Sequence, residues 1–398
     1  MLSFYPYTAS GFAACGKLFS SLFGVKYLTA MIISAIVIVA YTTLGGFLAA
    51  STTDFIQSII MSVALIVVLI FGVETAGGIG AVIHNASELP GYLSMTLSYD
   101  VNTGKAAPYS ALTIVSTAAW GLGYFGMPHI LLRFMAIEDE KKLKLSRRVA
   151  TIWVVISLFV AVFIGVIGYT MSKVGALEML TGSNSETIIV KISALLSQHG
   201  VIFALLAGVI LAGILASTMS TSDSQLLAAS SAVSSDILGA FRKDSSNKNG
   251  SMAAARITLL VISVVAAFIA RNPDSSVFAI VSFAWAGFGA AFGPVVLFSL
   301  FWKRTNKWGA LAGMVCGGSM VFIWKYLIRP LGGIWNIYEL LPAFLIACAA
   351  IVIVSLLTPK PSKEIEEEFD RGRTDEINLL TLYTKNVGRY LSDIYRHF

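Results

Sequence analysis

Charge along this chain is gathered into short clusters and a terminal tail, which leaves a series of uninterrupted apolar stretches about 18 to 25 residues long. That length crosses a hydrocarbon layer roughly 30 Å thick, and so many such stretches cannot all be core helices of a soluble domain. Hydropathy predicts about ten spans, near residues 4–23, 27–50, 54–75, 110–132, 150–171, 201–226, 254–270, 277–302, 309–327 and 340–357. An even number of spans puts both ends on one side. The loop after the fourth span carries Arg133, Lys141, Lys142, Lys144, Arg147 and Arg148, the loop after the sixth Arg242, Lys243 and Lys248, and the loop after the eighth Lys303, Arg304 and Lys307. All fall on one side, which the bias of Lys and Arg assigns to the cytoplasm together with both termini. The long 77–108 loop is then exterior.

Composition agrees with that reading. Of 398 residues 56% are hydrophobic and 13% charged, against roughly 25% charged in soluble domains. The net charge of +6 follows the loops and forms no basic stripe interleaved with aromatics, so nucleic acid is not an expected partner and the lipid bilayer is. Cys15, Cys316 and Cys348 have no CxxC spacing and no nearby His, so neither a disulfide framework nor a zinc site is indicated. The opening MLSFYPYTASGFAACGKLF lacks the basic start and cleavage site of a secretory signal and reads as a span already under way. Residues 1–358 are expected to form one transmembrane domain and 359–398 a charged cytoplasmic tail, in which EIEEEFDRGR reads as a solvated helix or disordered segment.

Polar side chains inside spans mark the candidate chemistry. In the sixth span, Ser217, Ser220, Thr221 and Ser224 share one helical face, with Asp223 about 100° from its neighbours. Hydroxyl oxygens and freed carbonyls suit a small hard cation such as Na+. The alternative is that these hydroxyls bond back to their own helix or glue neighbouring helices. In the fourth span Trp120, Tyr124 and Pro128 follow at intervals of four, with Gly121, Gly123 and Gly126 between them, a pattern that predicts a broken or kinked helix. Broken helices build the midplane sites of transporters; an interfacial aromatic belt before a kink is the alternative. Asp54 reads as a helix cap at the start of the third span, or as a polar group of an ion path together with Gln57. Asp223 is a third ion-path candidate. Gly287, Gly289 and Gly293 read as packing positions. His84, His129, His199 and His397 have no metal-ligand spacing, and neither a Ser/His/Asp nor a phosphate-loop pattern occurs, so no enzyme is expected.

The segments YTTLGGFLAASTTDFIQ, WGLGYFGMPHILLRFMA, ILASTMSTSDSQLL and FAWAGFGAAFGPVVLFSLFWKR, in this order, resemble the sodium/solute symporter family, most of all its bacterial members that import proline. The resemblance implies an all-α, polytopic, inverted-repeat (LeuT-like) transporter fold. It implies a sodium site made by Ser220 and Thr221 with the Ser217 carbonyl, and proline held by Trp120, Tyr124, Pro128 and Tyr7. It also assigns the family's aspartate to Asp54. Family members carry about three further N-terminal helices, so the chain is expected to be truncated there, with one side of its site open.

The expected function is sodium-coupled import of proline through the cell membrane. A symporter for another small solute such as pantothenate or a sugar, a sensor module, and a non-transporting fragment are the alternatives.

Overall fold

The computed structural model describes all residues except 1–2, 102, 140–141, 238–247, 275 and 375–398. Arg242, Lys243, Lys141 and His397 therefore lie outside the described residues. The chain forms α1 (Phe4–Phe23), α2 (Tyr27–Thr75), α3 (Ile79–Ser87), a hairpin of β1 (Leu97–Asp100) and β2 (Lys105–Pro108), α4 (Ala111–Ala118), α5 (Trp120–Gly123), α6 (Pro128–Met135) and α7 (Leu143–Lys173). It continues with α8 (Ile188–Leu196), α9 (Val201–Ser231), α10 (Lys248–Ile269), α11 (Val277–Phe301), α12 (Lys307–Ile323), α13 (Leu340–Leu357) and α14 (Lys363–Thr374). Among the described residues, seven helical stretches are long and apolar enough to cross a membrane, and their exposed faces carry Ile, Leu, Val and Phe.

The second and third predicted spans join in the one helical run α2, which is 49 residues long. Its contacts with α9 show that it reverses. Tyr41 bonds Asp223, and Met31 packs on Gly16, the neighbour of the Cys15 that meets Thr218, so the first half runs in the direction of α9. Ala64 lies against Gly213, and Asp54 is tied through Arg133 to Ser224, so the second half runs against it. The reversal falls between Tyr41 and Asp54. Tyr27–Leu44 and Ala50–Thr75 are accordingly separate spans, as hydropathy predicts.

The 20-residue helix α1 is nearly enclosed, with Thr8, Ala9, Phe12, Ala13 and Cys15 buried. Its small residues allow that: a Cβ on Gly11 would strike the Ser222 side chain of α9, and one on Gly16 would meet Tyr27 Cε2 at 2.8 Å. The basic cluster Lys144, Arg147 and Arg148, expected in a loop, instead forms the first turns of α7, where long cationic side chains extend from an otherwise apolar helix toward water. EIEEEF of the tail is helical, its Phe369 buried and its Asp370 paired with Lys303 at 2.5 Å.

On the face predicted to be exterior, Glu186 fastens three elements. It pairs with Lys17 of α1 at 2.7 Å, accepts from the Ser276 hydroxyl at 2.7 Å, and accepts the Val277 and Phe278 amides at 3.2 and 3.3 Å. Two otherwise orphaned amides of the α11 N-terminus are thereby satisfied. These donors outweigh desolvation and hold the Glu186 carboxyl below its ordinary 4.5. The contribution to stability is present above that unfolded value and lost as pH falls through the lower folded one. Thermal unfolding against pH is expected to lose stability below about 4.5, and Glu186→Gln to remove that component. Tight packing gives a second test. A Cβ on Gly289 would lie 2.7 Å from Gly123 Cα and 2.9 Å from Leu340 Cδ1, so Gly289→Val is expected to lower the melting temperature. The cost is about 1–3 kcal/mol.

Candidate functional site

The fourth span is broken, as its glycines and proline predict. Ser110 caps α4 by accepting from the Thr113 amide, α5 ends in a single 3-10 turn at Tyr124–Gly126, and Met127 is extended (φ −81°, ψ 110°). Pro128 then opens α6 at a position where its missing N–H costs nothing, and it keeps the preceding residue out of the helical region. An interrupted helix leaves backbone groups without intrahelical partners, and α11 packs against this break. A Cβ on Gly126 would meet Gly293 N at 2.8 Å, and Gly123 lies against the Trp285 indole. Gly287, Gly289 and Gly293 thus act in packing, in agreement with the sequence reading.

Trp120 and Tyr124 come together on Trp285. Its indole lies 5.6 Å from Trp120 and 4.8 Å from Tyr124, edge to face with the latter, and its Nε1 donates to the Trp120 carbonyl at 3.0 Å. Phe278 stacks on Trp120 at 5.4 Å, while Tyr124 leaves half its surface exposed. Tyr7 sits at the other end of the break, its ring 5.9 Å from His129 and 6.4 Å from Phe288. Pro128, which immediately precedes His129 in sequence, is half-buried. Trp285 is missed by the sequence reading, which takes its Gly-rich span as packing alone; a large aromatic among small residues was the available signal.

On α9 the helix sorts its polar groups. Ser222, Asp223 and Gln225 are fully buried, whereas Ser217 is exposed and Ser220, Thr221 and Ser224 half-buried. Ser217 donates to the Ile214 carbonyl at 2.8 Å, and Ser220 and Thr221 both donate to the Ser217 carbonyl, at 3.2 and 3.1 Å. Back-bonding and ion binding are compatible here: each hydroxyl spends its proton on the helix and keeps its oxygen lone pairs free for a cation. One turn further, Gln225 Nε2 meets His129 Nδ1 at 2.6 Å, which ties the hydroxyl-bearing helix to the broken one.

The capping role for Asp54 is overturned, because α2 runs through positions 52–54 without a start there. Its carboxylate instead pairs with Arg133 at the end of α6, and the same guanidinium reaches Ser224 Oγ at 3.0 Å and the His129 carbonyl at 3.2 Å. Gln57, one turn on, has a buried Oε1 with no protein hydrogen-bond partner, and so has the Asp54 carboxylate at its Oδ1. Asp223 lies on the packed side of α9, where it accepts from the Tyr41 hydroxyl and, at 3.3 Å, from Ser224. Arg133 reads in sequence as a loop charge, and only its packing partners reveal otherwise. Arg133→Met strands the Asp54 carboxylate and is expected to cost about 2 kcal/mol in thermal unfolding. Asp54→Asn keeps an acceptor for Arg133 and is expected to cost less.

Comparison with known proteins agrees with the geometry. The description "Sodium:solute symporter family" matches residues 1–317. An osmoregulated proline transporter of Bacillus subtilis is 38% identical over 91% of this chain and 70% of its own length. A sodium/proline symporter of Haemophilus influenzae is 40% identical over 92% and 71%, and one of Salmonella typhimurium 38% over 94% and 70%. Among solved structures, a Na+-coupled sialic acid symporter in a substrate-bound outward-open state superposes with a TM-score of 0.69 at 18% identity, over 91% of this chain and 74% of the other. The chain is a multi-pass membrane protein and belongs to the sodium:solute symporter family.

Proposed function

We propose that the chain carries out sodium-coupled symport of proline into the cell, with both termini cytoplasmic. The observation that supports this most is its identity of 36–40% to several sodium/proline symporters across more than nine-tenths of its length. Ser220 and Thr221 supply hydroxyl oxygens to the sodium ion, with the Ser217 carbonyl beside them, and their protons are already committed to the helix. Neutral oxygen ligands bind a monovalent ion weakly enough to release it. Proline is held against Trp120 and Tyr124, with Pro128 and Tyr7 at the far end of the break; an aromatic wall suits its apolar ring, and carbonyls and amides at the interruption suit its charged ends. Asp54, Gln57 and Asp223 lie on the ion's inner path, the first held by Arg133.

Coupling follows if sodium favours the outward-facing state in which the solute binds best. An inside-negative potential contributes roughly 2.3 kcal/mol per charge at 100 mV, and the sodium gradient adds to it. Proline carries no net charge, so that energy is available to concentrate it. Labelled proline uptake by membrane vesicles is expected to require an inward sodium gradient, and the double variant Ser220→Ala, Thr221→Ala to lose it. Uptake that survives in potassium buffer, or in that double variant at parental abundance, overturns the scheme. Lithium or proton gradients in place of sodium identify the ion.

A further inference from the structure

The segment at residues 324–339, between α12 and α13, lies beyond the stretch that matches the family, which ends at residue 317. It nevertheless reaches the aromatic cluster. The Tyr338 ring, buried, stacks on Trp120 at 5.7 Å with 15° between planes, next to the Phe278 and Trp285 contacts of the same indole. Its hydroxyl donates to the Ser282 carbonyl of α11 at 2.6 Å, and its amide donates to Ser116 Oγ of α4 at 3.0 Å. A single residue thus touches the half-helix before the break, the indole at the break and the helix that shields it.

The next residue fixes this arrangement. Glu339 is 1% exposed and takes Arg329 Nη1 at 2.8 Å, with Lys325 Nζ at 3.8 Å. Arg329 also donates from Nε to Asn336 at 3.1 Å, and Lys325 lies over the Phe283 ring at 4.0 Å. A buried carboxylate between two cations tolerates little displacement, because each ångström of separation loses attraction that water cannot replace.

We infer that Tyr338 forms a wall of the substrate site by seating the Trp120 indole, and that Glu339 is a positioning residue that locks Tyr338 in place through Arg329 and Lys325. This deepens the substrate site proposed above and rests on it. Through this wall, the segment between α12 and α13, which lies beyond the family match, takes part in solute affinity.

The test combines two measurements on the full chain. In sodium-driven uptake normalised to transporter abundance, Tyr338→Leu is expected to raise the KM for proline about tenfold with maximal rate retained, and Tyr338→Phe, which keeps the ring, less than about twofold. Glu339→Gln is expected to raise KM in the same direction, and it decides the matter if Tyr338→Leu does not accumulate. A purely structural role lowers abundance and leaves KM unchanged, which would overturn the inference. The second measurement needs no solute: thermal unfolding of the parent, Trp120→Leu, Tyr338→Leu and the double variant. Non-additive losses support the seat, and additive losses overturn it. If the parent takes up no proline, the substrate assignment fails, and the unfolding cycle still decides the wall.

Discussion

A polar group inside hydrocarbon has no water to fall back on, and the interrupted helix between Ala119 and Pro128 is the place where that constraint bears hardest. Its freed backbone groups persist because α11 comes close through Gly123, Gly126, Gly289 and Gly293 and covers them. Trp285 then donates back to the Trp120 carbonyl at the break itself. The aromatic cluster therefore shields an interrupted backbone, and the proposed solute site is built against that same cluster. Irregular backbone of this kind is tolerated within a membrane protein where it is buried against other protein.

A second consequence of the same constraint is the way polar side chains are linked. The Asp54 carboxylate, the Arg133 guanidinium, Ser224, Asp223 and Tyr41 form one connected set across α2, α6 and α9. Gln225 and His129 make a parallel link between α9 and α6. Arg133 of α6 holds Asp54 of α2 and Ser224 of α9 at once, so α6 is tied to both helices through one side chain. Alternating access asks for all-or-none elements, since a site that opened on both sides at once would leak the ion. Glu186 joins α1 to the N-terminus of α11 in the same way, through Lys17 and Ser276.

Much of this was legible in residue order. The apolar stretches marked the spans, Gly and Pro marked the broken helix, and the density of hydroxyls on one face of α9 marked the candidate ion ligands. Asp54 was read as a helix cap or as part of an ion path, the former because a Thr-Thr-Asp run before an apolar stretch looks like a helix start, and only the capping alternative is overturned. The chain stays helical there, and the carboxylate finds Arg133, 79 residues away. Arg133 itself was counted as a topological charge. Trp285 and Tyr338 were not singled out at all, since neither helical periodicity nor spacing relates them to Trp120.

The sequence by itself determined the solvent of this protein, the approximate limits of its helices and the position of the break, because each of these depends on composition and local backbone preference within a few turns. Tertiary structure alone decided which polar residues share a neighbourhood: that Tyr41 reaches Asp223, that Arg133 binds both Asp54 and Ser224, and that Tyr338 meets Trp120. The physical reason is that pairing between distant helices is set by packing in a medium that penalises unpaired polar groups. That penalty acts on the assembled bundle and leaves no periodic trace along any one segment.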